Sequence, residues 1–198
     1  MTEKEIREMV RTQAEESAAM KNRMIADKAL MEKVAEVAGV LCKAYESGHK
    51  TLWAGNGGSA ADAQHMVGEI VNKFYFDRPG LPALALNTNS SVVTAIGNDY
   101  GYDKVFSKQL EGCAEEGDVF IGISTSGNSA NLVDVLDICR KKGIVTVALV
   151  GERACRMDAY DYAIHIPSTV TPRVQEGHTL VGHILCSIIE ESVFGKEK

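Results

Sequence analysis

Four groups of residues in this chain have types and spacings suited to chemistry. His65 and Glu69 stand four apart in a stretch free of proline, so on a helix their side chains share one face and can reach a common atom. Such a pair suits a divalent metal or acid/base work. Near the other end of the chain, Gln175, Glu176 and His183 occupy a second helical stretch. Glu176 is seven residues from His183 and aligns with it, whereas Gln175, eight away, is offset by about 80° in azimuth. On spacing alone Glu176 is the better partner. The remaining histidines, His49, His165 and His178, read as structural or surface residues.

Ser124, Thr125, Ser126 and Ser129 place four hydroxyls within six residues, where an apolar run gives way to a helical one. Hydroxyls and amides can surround a phosphate without a basic side chain. Helix capping, worth about 1 kcal/mol, explains one hydroxyl and not four. The fourth group is the turn Gly55-Asn56-Gly57-Gly58 followed by Ser59 and a helix. Glycines let a ligand approach backbone N–H groups, and the helix adds unpaired donors and a positive dipole end. Together they make a seat for an anion. The nucleotide P-loop pattern fails because no lysine precedes Ser59. The relaxed dinucleotide pattern is met by Gly55, Gly57 and Ala60, but the second strand ends in Asn87-Thr88 and lacks the acidic residue.

These groups need a frame to position them. The apolar runs Leu52–Ala54, Pro82–Leu86, Val119–Ile123, Ile144–Val150 and Tyr162–Ile166 read as five strands alternating with helices. That alternation predicts an α/β fold with a doubly wound, five-stranded parallel sheet, its ligand crevice at the carboxyl ends of the strands. Both special turns fall at that edge. Helices are expected from Ser59 to about Phe74, from Ala130 to Lys142 with Gly143 as C-cap, and from Arg173 to Phe194. Between Ser90 and Glu115 the helical pattern is expected to break at Gly97-Asn98-Asp99-Tyr100-Gly101. Residues 1–48 carry helical spacing in Ile6, Met9, Val10 and then Met24, Leu30, Val34, Val37, Leu41, as two helices or one bent one. Their apolar face packs either on a second subunit or on the chain's own sheet.

With 198 residues and no linker, the chain is expected to form one domain, 1–198. The net charge is −6 and the basic residues are scattered, which argues against a nucleic-acid partner. Any anionic ligand must be held by local groups and not by the global field. The start Met1-Thr2-Glu3-Lys4-Glu5 lacks the pattern of a secretory signal, and no apolar run reaches spanning length, so a cytoplasmic protein with no membrane partner is expected. Five separated cysteines without a C-x-x-C pair read as reduced thiols.

Gly55-Asn56-Gly57-Gly58-Ser59, His65-x3-Glu69, Gly97-Asn98-Asp99, the stretch from Gly122 to Asn131 and Gln175-Glu176-x6-His183 occur in this order. In these five motifs, spanning residues 55 to 183, the chain resembles the phosphoheptose isomerases of the SIS (sugar isomerase) fold family. The resemblance implies a flavodoxin-like SIS fold and a homotetramer with sites between subunits, residues 1–48 contributing to assembly. It implies substrate contacts at Asn56, Gly57, Gly58, Ser59, Glu69, Asn98, Asp99, Ser124, Thr125, Ser126, Ser129 and Gln175. It further implies a zinc site of His65, Glu69, Gln175 and His183, in which Gln175 displaces Glu176. Lys73 departs from the arginine that some relatives carry there, and the two differ in anion geometry.

The implied reaction interconverts sedoheptulose 7-phosphate and D-glycero-D-manno-heptose 7-phosphate through an enediol, the first step toward nucleotide-activated heptose for surface polysaccharide. Glu69 suits the carbon-bound proton and His183 the protons on oxygen. A non-catalytic SIS module that binds a sugar phosphate or a partner protein, and an isomerase of another sugar phosphate, are the alternatives. The former has little need of two histidines with Glu69 and Gln175.

Overall fold

The structure, a computed structural model, describes residues 1–195. Helices α1 (Glu3–Ala26) and α2 (Lys28–Glu46) precede strand β1 (Thr51–Gly55) and helix α3 (Gly58–Val71). Strand β2 (Ala83–Ala85) and helices α4 (Ser90–Tyr100) and α5 (Ser107–Cys113) follow. Then come β3 (Val119–Ser124), α6 (Ala130–Val133), α7 (Val135–Lys142), β4 (Val145–Val150), β5 (Tyr162–His165) and α8 (Thr171–Phe194). The expected parallel sheet is present, with strand order β2-β1-β3-β4-β5. The order reverses between β1 and β3, and the crevice beyond their carboxyl ends is where such sheets bind ligands.

Alternation along the strands divides the apolar side chains between two layers. Trp53, Ile121, Ile123, Val147 and Leu149 face α1, α2, α3 and α8. Leu52, Ala54, Phe120, Ala148 and Val150 face the layer of α5, α6 and α7. Both faces are covered, which is why the strands read as continuous apolar runs.

Helices α1 and α2 are separate. Asp27 ends the first and caps the second, its Oδ1 accepting from the Leu30 N–H at 3.0 Å. Only Met20 and Met24 of α1 are buried. Ile6, Met9 and Val10, in its first half, remain 48–66% exposed, so the sheet of this chain does not cover them.

Two expected boundaries move. Helix α3 stops at Val71, not Phe74, and Arg78 satisfies the carbonyls left free there, donating from Nη2 to Glu69 O at 3.0 Å and from Nη1 to Ile70 O at 2.9 Å. The break expected at Gly97-Asn98-Asp99 is not a break. Helix α4 runs through all three to Tyr100 and ends at Gly101, whose φ of +92° a side chain would strain. No residue of α4 is fully buried; Val93 and Ile96 rest half-covered on the core. Gly143 closes α7 at φ +67°, as its position after the basic last turn suggested.

Candidate active site

The glycine turn brings backbone to the crevice. Gly57 holds φ +58° and ψ −121°, a conformation that only glycine adopts freely. Gly57 and Gly58 are exposed at the mouth, but Ser59 is buried beneath them, its N–H donating to Asn56 O at 3.1 Å. A Cβ on Gly58 would occupy the space taken by the Gln175 amide. The Asn56 amide is held by Asn131: each side chain donates to the other at 3.0 Å, and Tyr102 Oη adds a bond to Asn56 Oδ1 at 3.1 Å. These contacts tie the glycine turn to the helix after the serine loop.

In that loop the hydroxyls converge as expected. Ser124 Oγ lies 3.1 Å from Ser129 Oγ and 3.4 Å from Ser126 Oγ, and accepts the Gly127 N–H at 3.1 Å. Ser126 Oγ also accepts from Asn128 N at 3.2 Å. The short 3-10 turn Arg156–Ala159 braces the loop from behind: Met157 N donates to Gly127 O and Arg156 N to Asn128 Oδ1, both at 3.0 Å. Thr125 and Ser126, with Asn128, Arg153, Ser168 and Thr171, also line a cavity of 260 Å³. Ser126 is exposed, and Ser126→Ala removes a hydroxyl whose bonds within the chain are to Asn128 N and Ser124 Oγ. It is expected to weaken binding of a sugar phosphate by about 1–3 kcal/mol with little change in Tm. Calorimetric titration showing unaltered affinity in Ser126→Ala and in Ser124→Ala would move the phosphate elsewhere.

The chemistry-bearing side chains meet where α3 and α8 lie side by side. His65 Nε2 and His183 Nε2 are 2.8 Å apart, with their rings edge to face at 76°. Glu69 Oε1 lies 3.6 Å from His65 Nδ1. His65 is exposed and the other two are half-buried. Two imidazole nitrogens at this separation require a proton or a cation between their lone pairs. One ligand atom from each of His65, Glu69 and His183 falls within a span of 4.8 Å. Zinc takes imidazole nitrogen and carboxylate oxygen at about 2.0–2.2 Å, so small rotations bring this donor set onto one ion. The three residues fit zinc.

Gln175 stands apart from them. It is eight residues before His183, about 12 Å along the helix axis, with its amide against Gly58 at the first turn of α3. In the single chain it borders the glycine turn and is not gathered with the histidines. Glu176, the choice on spacing, is bound elsewhere: its Oε1 accepts from Arg173 Nη2 at 2.6 Å. Arg173 also donates to the Gln13 carbonyl at 2.7 Å, linking α8 to α1. Asn98 and Asp99 are exposed at the end of α4 and bonded to each other at 2.8 Å. Lys73 is exposed just past the end of α3, its Nζ 3.8 Å from Asp77.

Of the other histidines, His178 is buried, and desolvation pulls it down to about 4, so it stays neutral in the core. His165 bonds Gly151 O and Asp158 at the sheet edge. All five cysteines are free thiols, and burial pushes Cys139 and Cys186 up to about 12, which leaves them unreactive.

Sequence reasoning missed Arg78, Glu190 and Phe74. Phe74 packs its ring 5.6 Å from that of His183. Arg78 and Glu190 form an ion pair whose side chains are 2% and 1% exposed. The available signal was Glu190 itself, an acid continuing the apolar stripe of Leu185, Cys186 and Ile189.

The parallel sheet has the flavodoxin-like strand order, and the SIS domain family model matches residues 14–151, which hold β1 to β4 and the serine loop. The phosphoheptose isomerase of Aneurinibacillus thermoaerophilus is 50% identical over 186 residues, covering 93% of this chain and 94% of the relative. A phosphoheptose isomerase structure from Francisella tularensis superposes with a TM-score of 0.90 at 32% identity, over 96% of this chain and all of that one. That from Neisseria gonorrhoeae gives 0.86 at 38% identity, over 94% and 99%. The chain belongs to the phosphoheptose isomerase family of SIS-domain enzymes.

Proposed function

We propose that the chain interconverts sedoheptulose 7-phosphate and D-glycero-D-manno-heptose 7-phosphate, feeding nucleotide-activated heptose synthesis for surface polysaccharide. The observation that carries this reading is the cluster of His65, Glu69 and His183 along the same pair of helices whose first turns meet the glycine turn. The serine loop and the N–H groups at Gly57 and Gly58 hold the phosphate. Gln175, and Asn98 and Asp99 at the end of α4, contact sugar hydroxyls. The far end of the sugar then lies against Glu69.

Aldose–ketose isomerisation moves one proton between C1 and C2 and another between their oxygens. Glu69 carries the carbon-bound proton and His183 the proton on oxygen, each contributing about 10²- to 10⁴-fold. His65 orients the pair through its two ring nitrogens. Zinc would be held by His65, Glu69 and His183, with Gln175 as a fourth ligand only after its amide leaves Gly58, and when bound it supplies Lewis-acid polarisation of the sugar carbonyl. A Glu69 that held zinc would be a weaker base, so it is the free carboxylate that takes the carbon-bound proton.

Purified enzyme assayed with a panel of ketose phosphates should isomerise sedoheptulose 7-phosphate with the highest kcat/KM. A preference for another ketose phosphate would reassign the substrate. Elemental analysis of chelator-free protein is expected to find about one zinc or similar divalent ion per chain. Full activity in repeated metal-free preparations would reduce the cluster to acid/base and substrate groups.

The assembly that fits is a homotetramer working in the cytoplasm. Its basis is the exposed apolar stripe of Ile6, Met9 and Val10 on α1, together with Ile188 on α8. Light scattering should report four chains at micromolar concentration, and a monomer would rule this out. Among the described residues no helix is long and apolar enough to cross a membrane.

A further inference from the structure

A single buried ion pair sits directly behind the acid/base cluster and touches both of the helices that carry it. Glu190, on α8 seven residues after His183, turns its carboxylate toward the segment that leaves α3. Its Oε1 accepts from Phe74 N at 2.7 Å and from Arg78 Nε at 2.9 Å, and its Oε2 accepts from Tyr75 N at 2.6 Å. Arg78 spends its remaining donors on the last turn of α3, on Glu69 O and Ile70 O, and on Pro79 O at 3.0 Å. One carboxylate and one guanidinium thus fasten the end of α3, and the segment that leaves it, to α8 through five hydrogen bonds, the sixth being local to Pro79. The planar fork of arginine is required for this pattern; an ammonium cannot face the carboxylate and two adjacent carbonyls at once.

Two of these bonds bear directly on the cluster. The carbonyl gripped by Nη2 belongs to Glu69 itself. The N–H gripped by Oε1 belongs to Phe74, whose ring lies against His183 at 5.6 Å and 41°. The pair touches no part of the crevice, since both side chains are almost wholly buried. A buried ion pair is also a poor source of net stability, because desolvation consumes most of its Coulomb energy and apolar side chains of similar volume do as well or better.

We propose that Arg78 and Glu190 are positioning residues, which set Glu69 and His183 relative to each other by fixing the end of α3 on α8. The proposal rests on the acid/base reading of Glu69 and His183. Misplacement of a reacting group by about 1 Å costs on the order of 100-fold in rate, and loss of the fork permits a shift of that size at Glu69 without touching the phosphate seat.

The test uses the full-length enzyme with Arg78→Lys, which keeps the charge and loses the fork, and with the double variant Arg78→Met/Glu190→Leu, which replaces the pair by apolar groups. Thermal unfolding is measured beside kcat and KM. Expected for both is a folded protein with kcat down by about 10- to 100-fold and KM within about threefold, since only the placement of the proton-transfer groups changes. Wild-type kcat in either folded variant overturns the proposal. So does failure of both to fold, which would make the pair structural. Glu69→Gln and Glu69→Gln/Arg78→Lys complete a cycle. Where Arg78 acts through Glu69, its substitution costs little more once Glu69 is gone. An Arg78→Lys loss that persists in full in the Glu69→Gln background overturns the proposal as well. The acid/base reading fails by a different sign, an unchanged rate in Glu69→Gln alone.

Discussion

Glu69→Gln is expected to bind sedoheptulose 7-phosphate with nearly wild-type affinity and to lose isomerisation by about 10²- to 10⁴-fold. The amide keeps the shape of the carboxylate and can still meet a sugar hydroxyl, but it cannot take a proton from carbon. Glu69 lies on α3 and the serine loop follows β3, so a phosphate seated at that loop is expected to keep its contacts. The reaction run in D2O and followed by NMR separates the steps. Wild-type enzyme should place deuterium at C2 of the aldose and, through the reverse reaction, at C1 of the ketose, and Glu69→Gln should not. His183→Gln should lose turnover while retaining slow exchange, as the proposed role of Glu69 in removing the carbon-bound proton requires. A Glu69→Gln enzyme that binds substrate and incorporates deuterium at the wild-type rate would leave Glu69 with metal binding or the orientation of His65 as its only task.

The largest loss of stability is expected from Glu190→Ala, about 3–5 kcal/mol, because it strands the Arg78 guanidinium in a dry site. The N–H groups of Phe74 and Tyr75 lose their acceptor in the same step. Burial opposes ionisation of Glu190, but those N–H groups and Arg78 outweigh it and hold the carboxyl below the usual glutamate range. The sign of the pH dependence follows. A group with a depressed folded value stabilises fully above its unfolded value, and that contribution disappears as pH falls through the folded one. Wild-type protein should therefore lose stability on the acid side below the ordinary glutamate range, and Glu190→Ala should show a flatter acid limb in denaturant melts. Equal slopes in the two proteins would assign the acid limb to other carboxylates. Replacing both partners by apolar residues avoids the stranded charge and is expected to cost less than removing one, although the Phe74 and Tyr75 N–H groups still lose their acceptor.

Much of this was readable from residue order because the sheet is parallel and covered on both faces. Its strands show as unbroken apolar runs, and its ligand turns fall where those runs end. The convergence of Ser124, Ser126 and Ser129 is local, set within six residues, and so was legible. His65 and Glu69 share one helix and were legible for the same reason. What spacing could not supply is contact between distant elements. Glu176 aligned with His183 along α8, but Arg173, held in turn by the carbonyl of Gln13 on α1, captures it. Gly97-Asn98-Asp99 has the composition of a turn, yet the chain stays helical until Gly101 supplies the positive φ that ends it. Arg78 and Glu190 lie 112 residues apart, and nothing local marks them as partners.

The seam between α3 and α8 behaves like a pair of meshed gears. Gly58 meets Gln175, Asp62 bonds Thr179 at 3.0 Å, and His65 meets His183, so the two helices advance together, rung by rung. Insertion of one residue after Thr179 would swing His183 through about 100° and lift it by about 1.5 Å, while Gln175 stayed against Gly58. The binding end and the reacting end of the crevice can therefore diverge by substitution, but a change in the length of either helix between the rungs disengages one end from the other.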